Sequence, residues 1–415
     1  MLRVFESFAG IGTQRMGFER AGIDHEVVGI CEIDKFAIDS YQSIHGDVNN
    51  YGDIANLDPK DLPDFDLFTY SFPCQDISMA GKQKGFDKDS GTRSSLLWEC
   101  ERIIESKRPK YLLMENVKAL TFKKNLPGFE KWLEILSNLG YKNYWKVLNA
   151  KDYGVPQNRE RVFCISILVD DQGFEFPEKQ VLETRLKDVL ENNVDEKYYL
   201  SNDRVKQLVG IVRNWGVKGK TVFDSSINES KEKEVANCIT TKQRGITNRR
   251  GEGNVVVEPR PILTHKRYRK NRNMPSEFRV FDDKGLSPTL TCGHQPCVSD
   301  EKCIPIKNGT KKGYLEAHQG DGIDLINPTC NNRRDRVQKA CSQTLTCNND
   351  RGVVTNDFRI RKLTPLECWR LMGIDDKNFY KARKVNSDSQ LYKQAGNAIV
   401  VDVLAAIFMQ LFNKK

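Results

Sequence analysis

LRVFESFAGIGTQRMGFERAG, residues 2–22, joins two periodicities across a short turn of small residues. LRVFESF is a β-leaning apolar run, whereas GTQRMGFERAG carries a helical pattern. Between them, Ala9, Gly10 and Gly12 would let a ligand approach the backbone, and the helix start would offer N–H groups to a negative group. The full G-x-G-x-x-G spacing is absent, so a tight strand-to-helix turn is an equal reading of the same residues.

The alternation continues outward. Apolar or β-leaning runs recur at EVVGICEI, FDLFTYSF, KYLLMENV, YWKVLNA and RVFCISILV, with helical patterns such as SSLLWECERIIES and FEKWLEILSNLG between them. Strands alternating with helices of this length predict an α/β fold, a parallel sheet with helices on both faces. The texture changes from about 185 to 360, where polar residues dominate and long helical periods vanish. Between Lys242 and Arg272 stand ten Lys or Arg against two Glu, either a solvated basic loop or a footprint for phosphates. CITTKQRG, PTLTCGHQ and QTLTCNND form a loose repeat in the same region: a meander, or loops presented to a polymer. After 360 the core texture returns, and QAGNAIVVDVLAAIFMQLF, apolar almost all round, should be buried. The tail is therefore expected to pack on the N-terminal sheet, with the middle as an inserted domain.

Composition bounds the function. The chain has 415 residues, 39% hydrophobic and 29% charged, which excludes a disordered chain and allows two or three domains. A net charge of +9 permits a nucleic-acid partner without demanding one. The start lacks the pattern of a signal peptide and no run approaches a bilayer span, so a cytoplasmic protein with no membrane partner is expected. Twelve cysteines are then expected as reduced thiols. Cys292, His294, Cys297 and Cys303 are ligand types that suit zinc, but without paired C-x-x-C spacing they read as ordinary strand and loop residues.

Four places carry candidate chemistry. Glu32 ends one strand about 20 residues past the glycine turn, where an acid can hold ribose hydroxyls, and Asp53 ends a later one; together they favour an adenosine-containing cofactor. FTYSFPCQDIS, residues 68–78, puts Cys74 at the Pro73 break, either a core cysteine or a reactive one. Glu115 ends the strand LLMENV, where burial would make it a proton donor near neutrality; a solvated acid is the alternative. Arg159 and Arg161 in VPQNRERVF share a face if the chain is extended, suiting a carbonyl or anionic target or else surface salt bridges.

The order of these features resembles the cytosine-C5 DNA methyltransferase family. The likeness rests on FAGIG, SFPCQDIS with the following GKQKGF, MENVKAL, YGVPQNRERVF, RKLTPLECWRLMG and QAGNAIV, and covers roughly residues 1–170 and 360–415. It implies a Rossmann-like class I methyltransferase sheet, with a catalytic domain over 1–185 completed by 375–415. A smaller, mostly β or irregular target-recognition domain would occupy 186–374. It implies that Cys74 is the nucleophile that adds to C6 of a cytosine flipped from duplex DNA, that Glu115 engages N3, and that Arg161, supported by Arg159, binds O2. S-adenosyl-L-methionine would be held by Phe8, Ala9, Gly10, Gly12, Glu32, Asp53, Pro73, Leu96 and Asn397, with no metal. DNA would meet Gln75, Ser78, Lys82, Arg93 and Asn116, with Asp76–Arg93 as a closing loop, and Thr344 and Leu345 in the recognition region. The family departs here at Ile33, where many relatives have Trp, and at Ala398, where many have Ser. A monomer with a cognate restriction endonuclease as functional associate is the expectation. An RNA (transfer RNA) cytosine-C5 methyltransferase and a catalytically silent DNA-binding regulator of the same fold are the alternatives.

Overall fold

The computed structural model describes residues 1–73, 96–169, 173–208, 303–311, 313–330, 332–357 and 359–412, with the backbone of six short strands between 221 and 299. The chain divides into two compact units. The first comprises Met1–Asn192, Cys341–Asn349 and Leu363–Lys415; the second comprises Asn193–Ala340 and Asp350–Lys362.

In the first unit, β1 (Leu2–Ser7), α1 (Thr13–Ala21), β2 (His25–Cys31), α2 (Lys35–His45), β3 (Leu67–Tyr70), α3 (Leu97–Lys107), β4 (Tyr111–Val117) and α4 (Leu126–Asn138) alternate as expected. β5 (Tyr141–Asn149), β6 (Gln157–Asn158) and β7 (Glu160–Leu168) follow. Six strands form one sheet in the order β2-β1-β3-β4-β7-β5. β1 to β4 are parallel, but β7 runs antiparallel between β4 and β5, so the sheet is mixed rather than wholly parallel. The physical reason is the short link from β5 to β7, which has no room for the crossover that parallel neighbours need. Every residue of β3 is buried, as a central strand covered on both faces requires. Strand order reverses between β1 and β3, which places a ligand crevice at their carboxyl ends.

The C-terminal segment completes this unit. Helix Val401–Phe412 packs on α1, where Phe408 stacks on Phe18 with ring centroids 3.7 Å apart. A Cβ on Gly17 would come within 2.8 Å of Leu404, so glycine there permits the close helix contact. By length and composition Asp388–Phe412 could cross a membrane, but 61% of its most apolar window is buried inside the protein, which accounts for its hydrophobicity.

The division between units differs from the expected boundaries at 186 and 374. Helix Pro365–Arg370 opens with a capping box in which buried Glu367 accepts from Thr364 N, and its other carboxylate oxygen accepts from Glu191 N, each at 2.8 Å. Trp369 Nε1 donates to Leu391 O and Tyr392 Oη to Leu363 O. These ties bind 186–192 and 363–374 into the first unit. In the second unit a four-stranded antiparallel sheet and the hairpin Ile304–Lys307/Tyr314–Ala317 enclose an apolar cluster of Val205, Leu208, Ile304, Ile306, Ile323, Val354 and Ile360. Cys303 is buried there; Cys292 and His294, like the repeats at 238–245 and 288–295, lie outside the described residues.

Glu6, on β1, is fully buried, and its Oε2 accepts from Tyr41 Oη at 3.0 Å. Burial raises its pKa to about 7, with Tyr41 pulling the other way. The fold thus prefers the protonated acid. Its stability contribution is full below the unfolded value, near 4.5, and is lost as pH rises through about 7. Urea titrations should show Glu6→Gln removing up to about 3 kcal/mol of stability loss between those pH values. A pH profile parallel to wild type would show that the acid ionises freely.

Candidate active site

The crevice starts where β1 ends. Phe8, Gly10 and Gly12 all adopt left-handed conformations, with φ of 56°, 58° and 76°. A Cβ on Gly12 would strike Tyr41 and His45 of α2, so that glycine is needed for packing. Among the described residues, a Cβ on Gly10 would meet nothing within 4 Å, which leaves room there for a ligand. Buried Ala9 lies between Phe8 and Gly10. Phe8 is a bulky residue in strained backbone, a feature that clusters at ligand sites.

Glu32 is joined directly to this turn. Its Oε2 accepts from Gly10 N, and its Oε1 from Ile33 N and Asp34 N, each at 2.8 Å. Oε1 thus has both lone pairs engaged, whereas Oε2 keeps one lone pair that can accept a further hydroxyl donor. Ile33, 70% exposed, offers an apolar surface beside that carboxylate in place of the expected Trp. Asp53 is exposed and accepts from Ala55 N, capping a short 3-10 turn at 54–56. Two residues of this site escape a reading by motif. Asn50 accepts from Glu32 N and Gly52 N and donates to Glu32 O, locking the acid's backbone to the Asp53 turn; NNYGD, with its Asn-to-Gly spacing, was the available signal. Arg102 donates to Leu57 O and Ile54 O, tying that turn to α3, which starts beside Leu96. An open glycine, an acid, an apolar face and a second exposed acid fit an adenosine-bearing cofactor.

On the other side of the crevice stand β3 and β4. Asn116, expected to face DNA, is instead buried and turned inward, with Nδ2 donating to Phe72 O at 3.0 Å. It fixes the backbone just before Pro73. Cys74, Gln75, Ser78, Lys82 and Arg93 lie outside the described residues. Glu115 is 7% exposed, and Arg161 Nε sits 3.2 Å from its Oε1. Burial raises its pKa, against the lowering pull of Arg161, Arg159 and a hydrogen bond from Ser71. Desolvation wins, which gives a carboxyl able to donate a proton.

Arg159 is pulled towards other chain segments. Its Nη1 donates to Leu345 O at 3.2 Å, and its Nη2 to Gly396 O at 3.0 Å and Ala398 O at 2.8 Å. Strand Ser342–Gln343 pairs with β6, Gln157 Oε1 accepts from Leu345 N, and Thr344 Oγ1 donates to Asn158 O. Thr344 and Leu345, expected to read bases, thus dock on the first unit, with Leu345 buried. Asn397 is exposed at the end of helix Asp388–Asn397, and nearby Ile399 N donates to Thr13 Oγ1 at the start of α1. Arg159→Ala strands three carbonyls, and thermal unfolding should report a loss of about 2–4 kcal/mol. Unchanged melting would deny the clamp.

A family model described as C-5 cytosine-specific DNA methylase matches residues 2–413. The chain is 36% identical to the type II methyltransferase M2.ScrFI of Lactococcus lactis subsp. cremoris, across 100% of both chains. It is 32% identical to the orphan methyltransferase M.SPRI of Bacillus phage SPR, covering 99% of this chain and 98% of that one. Among solved structures, the Entamoeba histolytica methyltransferase EhMeth shares the fold, with a TM-score of 0.57 at 17% identity, covering 100% and 99% of the two chains. The chain belongs to the C-5 cytosine-specific DNA methylase family.

Proposed function

We propose that this DNA cytosine-5 methyltransferase acts on a cytosine swung out of duplex DNA, through a transient bond between Cys74 and C6 of the base. The observation that carries the reading is the pair of buried Glu115 and half-buried Arg161 at the carboxyl end of β4, next to the Pro73 turn that Asn116 holds. C5 of cytosine is a weak nucleophile. Addition of the Cys74 thiolate to C6 forms an S–C bond and moves electron density to C5, splitting one hard step into easier ones. Glu115, whose pKa burial raises, donates a proton to N3 and relieves the charge that builds in the ring. Arg161 spends Nε on Glu115 and Nη1 on Glu160 O, which leaves Nη2 to bind the base O2. S-adenosyl-L-methionine, when bound, supplies the electrophilic methyl group. Gly10, Glu32, Ile33 and Asp53 would hold its adenosine, and Phe8, Ala9, Gly12, Pro73, Leu96 and Asn397 would line the remainder. C5 then loses its proton to solvent, the S–C6 bond breaks to restore the thiolate, and the N3 proton returns to Glu115. Extrusion of the base costs roughly a few kcal/mol, which contacts to DNA must offset.

In this reading duplex DNA is the partner, the cytoplasm the compartment, and a restriction endonuclease a functional associate of a monomeric enzyme. Bisulfite sequencing of DNA from an expressing host should reveal methylcytosine in one sequence context. Methylation confined to transfer RNA would overturn the choice of substrate.

Two variants probe the chemistry. DNA containing 5-fluorocytosine should trap a covalent adduct with wild type and none with Cys74→Ser, because fluorine cannot leave C5; an adduct with the serine variant would refute the nucleophile. Glu115→Gln should lower kcat by about 10²- to 10⁴-fold. Wild-type activity should also fall at high pH, as the raised pKa of Glu115 is passed, and this alkaline limb should vanish in the variant. A residual limb of the same position would assign it to another group.

A further inference from the structure

Cys347 Sγ donates to the side-chain oxygen of Asn397 at 3.0 Å, and both residues are exposed. A carboxamide has one acceptor end and one donor end, and the two are exchanged by a half-turn. With its oxygen engaged by a thiol, the Asn397 carboxamide is held in one of these two states, and its N–H donors remain for an acceptor elsewhere. The segment bearing Cys347 is seated tightly enough to make this a fixed arrangement. A Cβ on Gly396 would lie 2.5 Å from Thr346 C and O and 2.6 Å from Cys347 N, so the backbone of 346–347 runs directly against the helix end. Arg159 binds both sides of that junction, through Leu345 O and Gly396 O. The helix end is in turn tied to the start of α1 by Ile399 N and Thr13 Oγ1, next to the glycine turn.

We propose that Cys347 is a positioning residue for the methyl donor: its thiol orients the Asn397 carboxamide so that the amide N–H groups face acceptor oxygens of the bound cofactor. The proposal rests on the functional reading above. It assigns a role in the catalytic unit to a segment expected to read bases.

Calorimetric titration with S-adenosyl-L-homocysteine, which needs no turnover, provides the test on the full-length protein. Loss of one net hydrogen bond corresponds to a dissociation constant about five-fold weaker for Cys347→Ala. Cys347→Ser keeps a donor and should bind within about two-fold of wild type. In an Asn397→Ala background, Cys347→Ala should have no further effect, because the two residues act through one contact. A purely structural cysteine would lower the melting temperature without this non-additivity. Wild-type affinity in Cys347→Ala, or an undiminished loss in the Asn397→Ala background, would overturn the positioning role and leave the enzyme reading intact. A wild-type chain that binds no S-adenosyl-L-homocysteine would overturn both.

Discussion

The first unit depends on one guanidinium group. Arg159 donates to carbonyls of Leu345, Gly396 and Ala398, positions 186 to 239 residues further along the chain. Charge-assisted bonds to buried carbonyls are among the stronger hydrogen bonds available to a protein, and an orphaned carbonyl is correspondingly costly. The segment 341–349, which the chain enters from the second unit at Ala340 and leaves at Asp350, is thereby held beside the helix end that carries Asn397. Gln157 adds a second tether, with Nε2 donating to Leu371 O and Oε1 accepting from Leu345 N. The stretch Gln157–Arg159 is thus a docking strip for two distant parts of the chain.

Two buried acids on the same sheet show how position divides labour. Glu6 and Glu115 are both pushed towards the neutral form by desolvation. Glu6 faces Tyr41 behind the glycine turn, with Arg15 the main cation felt through space, and acts within the fold. Glu115 instead touches Arg161 at the carboxyl end of β4, the place where the proposed chemistry needs an acid. Burial alone would make both acids inert structural groups; access at the carboxyl edge of β4 separates them.

Much of this protein was legible before any fold was known. The strand-turn-helix of residues 2–22, the alternation up to residue 168 and the buried character of the last helix all follow from local periodicity, which acts over a few residues and needs no partner. The glycine turn and Glu32 were also readable, and the structure joins them through Gly10 N. The reversal of β7 was not, because strand direction depends on the length of the connection rather than on the pattern within the strand. Neither was the inward turn of Asn116, since a polar residue at a strand end looks the same whether it meets solvent or a backbone carbonyl.

The sequence by itself determined the α/β class, the inserted middle region and the candidate donors, acids and glycines, because each depends on residue type and short-range spacing. Only the tertiary structure decided that 341–349 and 363–374 belong with the first unit. It alone showed that Arg159 serves distant carbonyls while Arg161 serves Glu115, and that Cys347 meets Asn397. Those outcomes depend on which groups leave water together, and burial of that kind is a property of the whole packed chain.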